Sequence, residues 1–378
     1  MQKKIIALAI AGLASSAAFA QSNVTIYGRL DYGFETRSTN SGAYQAANGT
    51  KSEFGAGLEA GSRIGFKGAE DLGNGTKAIF EAEFGLGNDQ TAAAASAATW
   101  TNRHSYVGLT GGWGTAVGGR VDGSRYSMFN EYDAFQGGGM GNITQLSFQV
   151  DRGNNAIAYI TPTFGGGFSA VMAYTTSLVA PEAAAVGAAS ANTGDIRLWL
   201  IKPSYKNGPI SVTFNYEAFK SKDDNVFDGS TYALAGSYDF KAVKVSAMYD
   251  TFKNKMTAAP VDFKDWFLSA AVPLTPAFDL KATYGQVKHS GSEGGVSVCG
   301  SDCQSKKFGL GVDYKLSKRT NFYADYGKIT NGQYTGFASA AGSKGVAISP
   351  AANSQAALTG GVAGYGTSGF DIGIAHNF

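Results

Sequence analysis

The strongest constraint on this chain is a two-residue alternation that recurs from end to end and keeps its charges on one parity. Near the C-terminus Phe370, Ile372, Ile374, His376 and Phe378 share one parity. Successive strand side chains point to opposite faces, so such a run is a strand with one apolar and one polar face. At the other end Val24, Ile26, Leu30, Tyr32 and Phe34 oppose Arg29, Asp31 and Glu35. Ile64 and Phe66 oppose Arg63 and Lys67, and Phe80, Ala82 and Phe84 oppose Lys77, Glu81 and Glu83. Later runs repeat the scheme, with Leu280 and Tyr284 against Asp279 and Lys281, and Leu310 and Val312 against Asp313. Two segments, about 103–110 and 195–205, alternate poorly and leave their faces unassigned.

A soluble sandwich would alternate too, and the connections decide between the two. Short turns (71–75, 111–114, 206–209, 275–276, 317–318) take turns with long ones (38–61, 87–102, 122–151, 177–194, 220–229, 290–305, 331–365). Short turns on one side and long loops on the other are the layout of an outer-membrane barrel. About sixteen strands of roughly 22 residues, connections included, fit the length. The expectation is therefore an all-β, 16-stranded antiparallel transmembrane β-barrel, wide enough for a water-filled interior. A charge facing lipid at mid-depth costs about 2–4 kcal/mol, which explains the parity rule. Lys220, Lys288 and Lys328 break it only at loop-side strand ends, where a long side chain can snorkel to the interface.

Residues 1–20 read as a cleaved signal peptide: Lys3 and Lys4, an apolar run, then Ala18-Phe19-Ala20 before Gln21. Residues 21–378 then form a single barrel domain. No later run reaches the length of a membrane-spanning apolar helix. Removing Lys3 and Lys4 from the 31 basic residues leaves them equal in number to the 29 acidic ones, so there is no nucleic-acid footprint. Glycine at 52 of 378, with 24 Phe and 19 Tyr, fits short strands and many turns. Aromatics at strand ends, Tyr27, Tyr32, Tyr205 and Phe378 among them, are expected in the interfacial girdles.

The connection 122–151 has neither strand nor helix periodicity and carries Arg125, Glu131, Asp133 and the run Gly137-Gly138-Gly139-Met140-Gly141. A structureless connection of about thirty residues is usually functional or disordered, and this one is expected to fold inward and narrow the barrel. Its glycines lack the Gly-Lys-Ser/Thr ending of a phosphate loop. Enzymatic chemistry is not expected. His104 and Ser105 are adjacent, so a strand would point them to opposite faces. Cys299 and Cys303 are expected to form a small disulfide ring in an exported chain; Asp302 is the only further ligand close by, so no zinc site is expected there, nor any other metal or cofactor.

Several motifs resemble the Gram-negative general porins of the neisserial and Burkholderia type: Val24-Thr-Ile-Tyr-Gly-Arg-Leu-Asp31, Ser62-Arg-Ile-Gly-Phe-Lys-Gly-Ala-Glu-Asp-Leu-Gly-Asn-Gly-Thr-Lys-Ala-Ile79, Arg103-His-Ser-Tyr-Val-Gly-Leu109, Asn154-Asn-Ala-Ile-Ala-Tyr159, Tyr205-Lys-Asn-Gly208 and the terminal Phe378. The resemblance implies a homotrimer, a third loop folded into the pore, and Phe378 as a signal read by the outer-membrane assembly machinery. It also implies arginines on the wall facing that loop, which by position are Arg63, Arg103 and Arg120. Arg29 points to the lumen by its own parity. Opposed to Glu131 and Asp133 on the loop, they would set a transverse field across a diffusion channel for ions and small hydrophilic solutes. A weak anion preference is expected, since guanidiniums keep their charge. A substrate-selective anion porin, for phosphate or an organic acid, and a non-conducting adhesin barrel remain as alternatives. The expected surroundings are outer-membrane lipid and lipopolysaccharide.

Overall fold

The computed structural model describes residues 23–38, 50–87, 100–146, 150–178, 196–221, 228–254, 261–293, 296–297, 304–331 and 368–378. Their strands, all antiparallel, make one closed sheet. In order they are β1 (Asn23–Ser38), β2 (Thr50–Ala56), β3 (Arg63–Gly73), β4 (Thr76–Leu86), β5 (Trp100–Gly111), β6 (Gly114–Asp122), β7 (Arg152–Ile160), β8 (Phe168–Thr175) and β9 (Ile196–Asn207). The second half runs β10 (Ile210–Ser221), β11 (Asp228–Asp239), β12 (Lys244–Asn254), β13 (Val261–Thr275), β14 (Phe278–Glu293), β15 (Val296–Ser297), β16 (Gln304–Lys315), β17 (Thr320–Asn331) and β18 (Ser368–Asn377). β2 and β3 share one position beside β1, and β15 only prolongs the β14 hairpin, so the 18 segments make 16 staves. β1 pairs with β18 from Arg29↔Asn377 to Ser38↔Ser368, which closes the barrel. Gly28 and Phe378 then exchange two backbone hydrogen bonds of 3.0 Å.

Closure explains the alternation. Outward residues such as Val107 and Ile157 are 64% and 69% exposed, whereas the inward Asp31, Asp250 and Asp371 are at most 1% exposed. Lipid on one side and polar groups on the other select residue types alternately along each strand.

The two segments that alternate poorly have separate causes. In β5 the register with β4 slips from Ala82↔Ser105 to Phe84↔Asn102, so Arg103 and His104 both lie opposite Glu83. A β-bulge of this kind inserts one residue and reverses the parity beyond it. Ser105, Val107 and Leu109 keep the outward parity, while Arg103 and His104 both reach inward, to Glu83 and Glu81. In β9 both faces are apolar: Trp199 and Ile201 are exposed, and Ile196 and Leu198 are buried inside the barrel. No parity test can separate two apolar faces.

The long connection after β6 does fold inward, yet it is not structureless. It forms a helix, α1 (Ser124–Tyr132), and a 3-10 turn at Thr144–Leu146. The buried residues Arg125, Met128, Phe129 and Tyr132 follow helical spacing. An arginine at the first of these positions hides the stripe from any apolar-period test. Met128, Phe129, Met140 and Ile143 are almost wholly buried against Phe219, Met248, Phe252, Phe263, Phe267 and Val287. Phe129 and Phe267 stack at 5.6 Å. Each such side chain contributes roughly 1.5–3 kcal/mol when withdrawn from water, and this apolar wall is what draws the loop inside. The loop packs mainly against β9–β17, and its tip reaches Asp371 on β18 and the Leu58 carbonyl beyond β2, so most of the β1–β5 wall stays open to a cavity.

Candidate pore constriction

Against that wall lies a cavity of about 310 Å³. On the barrel side it is lined by Arg29, Arg63, Glu83, Arg103, His104, Asp122, Lys281 and Asp313, and by Glu59 from the break between β2 and β3. On the loop side it is lined by Tyr126, Asn130, Phe135 and Gln136. Tyr126 and Asn130 are one helical turn apart on the face of α1 that turns away from the apolar wall.

The arginines are held by acids on their own wall. Arg29 and Arg63 are cross-strand partners on β1 and β3. Arg29 pairs with Glu59. Arg63 Nε lies 3.4 Å and Arg103 Nε 2.5 Å from the two carboxylate oxygens of Glu83. The side chains of Arg63 and Arg103 are 26% and 18% exposed, but that of Glu83 only 5%. At Glu83, water in the cavity therefore meets guanidinium before carboxylate, whereas the side chain of Asp122, paired with Arg152 at 3.1 Å, is 38% exposed. Further round the barrel Lys281 Nζ reaches Asp313 at 2.9 Å and Asp325 at 3.5 Å.

The other expected site residues lie elsewhere. Arg120 does not line the cavity: it pairs with Ser105 on the outward parity, its Nε donates to the carbonyls of Asn102 (3.1 Å) and Arg103 (2.8 Å), and its Nη1 donates to Asn154. Glu131 pairs with Lys206 at 2.8 Å and accepts from the Ser211 hydroxyl, near the short turn between β9 and β10 on the far wall. Asp133 is buried within the loop, accepting backbone N–H groups from Ile143 (3.1 Å), Phe135 (3.3 Å) and Gly137 (3.4 Å). Burial raises its pKa against these bonds. The loop face opposite the arginines is thus neutral, and the acids of the constriction stand beside the cations. Tyr27, expected in the girdle, turns inward and donates to Glu81. Cys299 and Cys303 lie outside the described residues.

Parity in the sequence had placed Glu83, Lys281 and Asp313 inside, but not their shared depth. Glu59, Tyr126, Asn130 and Gln136 carried no sequence signal, because they come from connections whose path is set by packing.

Both the sequence and the barrel fold are matched in known proteins. A family model described as Gram-negative porin matches residues 7–334. The chain belongs to that family. An outer membrane porin protein of Bordetella pertussis is 29% identical to this porin over 371 residues, covering 86% of the chain and 93% of the relative. Outer membrane porin protein 32 of Delftia acidovorans is 29% identical over 393 residues, covering 100% of both. Among solved structures, an anion-selective porin from Comamonas acidovorans superposes with a TM-score of 0.73 at 25% identity, covering 95% of this porin and 100% of that chain. A trimer form of OmpT from Vibrio cholerae shares the fold at TM-score 0.62 and 16% identity, covering 94% of this porin and 99% of that chain. This porin is a multi-pass β-barrel of the Gram-negative outer membrane and a channel, not an enzyme.

Proposed function

We propose that this porin is a homotrimeric diffusion channel with a weak preference for anions. The observation that carries the preference is the layering at Glu83, where two guanidiniums stand between a nearly buried carboxylate and the cavity. The lining is formally balanced, with Arg29, Arg63, Arg103 and Lys281 against Glu59, Glu83, Asp122 and Asp313. Asp122 and Asp313 also reach the water, with 38% and 19% of their side chains exposed, so the preference rests on the Glu83 layering alone, whose field the low-dielectric wall focuses. The anion-selective porin from Comamonas acidovorans supports the same sign, and the trimer form of OmpT supports the assembly.

Refolded protein in a planar bilayer under a KCl gradient tests both. Conductance steps in groups of three and a reversal potential of anion sign are expected; cation preference in the unmodified channel overturns the electrostatic reading. We also propose export by a signal peptide cleaved before Gln21, which the mass of the mature protein checks, and a ring between Cys299 and Cys303, which thiol titration checks. We further propose Phe378 as the signal read by the outer-membrane assembly machinery; its backbone bonds to Gly28 at the closing seam support that reading.

A further inference from the structure

The bulge in β5 brings His104 to Glu83 and Glu81, a meeting that the diffusion function does not use. Glu81, Glu83 and His104 each offer a ligand atom, and the three atoms lie within 4.8 Å of one another. His104 Nε2 is 3.1 Å from Glu81 Oε1 and 4.0 Å from Glu83 Oε2. Without the extra residue opposite Glu83, Arg103 and His104 would point to opposite faces and His104 could not meet both carboxylates.

The surroundings resemble the outer shell of a metal site. His104 Nδ1 faces Asp122 Oδ1 at 3.5 Å, an ion-pair distance without a hydrogen bond, while Nε2 is turned toward the two glutamates. Metal-ligating histidines generally direct their second nitrogen to such a carboxylate, carbonyl or water. Glu81 is itself fixed by the Tyr27 hydroxyl and, at 2.6 Å, by the Tyr106 hydroxyl. Carboxylates and imidazoles are the ligand types of catalytic zinc sites, which take three protein ligands and keep a fourth position open. Here that position would face the cavity that His104 and Glu83 line. Arg63 and Arg103 compete for Glu83, so binding is expected to be reversible and not structural.

We propose that Glu81, Glu83 and His104 bind a divalent transition-metal ion of the zinc class inside the channel. Bound there, the ion adds two positive charges to the constriction wall and moves selectivity further toward anions. The nitrogen ligand favours zinc, nickel and copper over calcium and magnesium, which take oxygen ligands.

The test uses the untagged full-length channel, first shown to conduct without added metal. Adding ZnCl2 is expected to shift the reversal potential toward anions and to saturate, while equal CaCl2 or MgCl2 gives only screening. His104→Gln and Glu81→Gln are each expected to raise the zinc concentration needed by roughly tenfold or more. No saturable zinc shift, or one that survives His104→Gln, overturns the proposal. Should the variants fail to fold, Cu2+ bound to the wild-type channel serves as the probe. One-nitrogen coordination in its electron paramagnetic resonance spectrum supports the site, and all-oxygen coordination overturns it.

Discussion

Arg125 on α1 and Asp250 on β12 form an ion pair closed to solvent, with 2% and 0% of the two side chains exposed. It pins the first turn of the inward loop to the wall. Burial works against the charge on Arg125, but the carboxylates of Asp250 and Glu217 outweigh it and raise its pKa. Removing one partner of a buried pair costs about 3–5 kcal/mol, because the other charge is left in a low dielectric. Asp250→Ala is therefore expected to loosen α1. Single-channel recordings should show higher conductance and more open-channel noise than wild type.

Arg63 and Arg120 are similar in sequence terms and differ in the structure. Arg63→Ser is expected to shift the reversal potential toward cations and to raise conductance, since it exposes Glu83. Arg120→Ser is expected to change selectivity much less, because its guanidinium is bound to the Asn102 and Arg103 carbonyls outside the cavity. Equal shifts in the two variants would remove the Glu83 layering as the cause.

The tip of the inward loop is locked by backbone proximity. Gly139 has φ +71 and donates to the Leu58 carbonyl at 2.8 Å, and a Cβ there would collide with the Asp325 carboxylate. Next to it, a Cβ at Gly138 would overlap the Glu59 carbonyl, which is backbone and cannot rotate away. Gly139→Ala is expected to cost about 1–2 kcal/mol from the left-handed backbone alone. Proteolysis of the folded barrel should then cut within 133–143 faster than in wild type.

Asp151, at the root of the loop, has its pKa raised to about 6, first by burial, against the pull of Arg152 and Arg103. A carboxyl raised above its unfolded value is favoured neutral in the fold. Its stabilising contribution is complete below about pH 4 and is lost as pH rises through about 6. Asp151→Asn is accordingly expected to raise the unfolding temperature at pH 7.5 and to approach the wild type by pH 4, as followed by heat-modifiable mobility. A variant less stable than wild type at pH 7.5 would show that the charged form is the one the fold uses.

Much of the barrel was legible in the residues. Alternation at Val24–Phe34 and Phe370–Phe378 placed both closing strands, and the long and short connections placed the two rims. The failures were local and physical. At Arg103–His104 a bulge reversed the parity, and at Ile196–Leu200 an inward apolar face met the loop instead of water. In α1 the buried stripe begins with Arg125, whose charge is cancelled by a residue more than a hundred positions away.

Alternation is imposed one residue at a time by lipid outside and polar surroundings inside, so the sequence by itself determined the architecture and the inward faces of most strands. Depth and partnership depend on register, bulges and the packing of distant strands. Only the tertiary structure could decide that Glu83 lies beneath Arg63 and Arg103, that Asp133 holds the loop's own backbone, and that Glu131 answers Lys206 on the far wall.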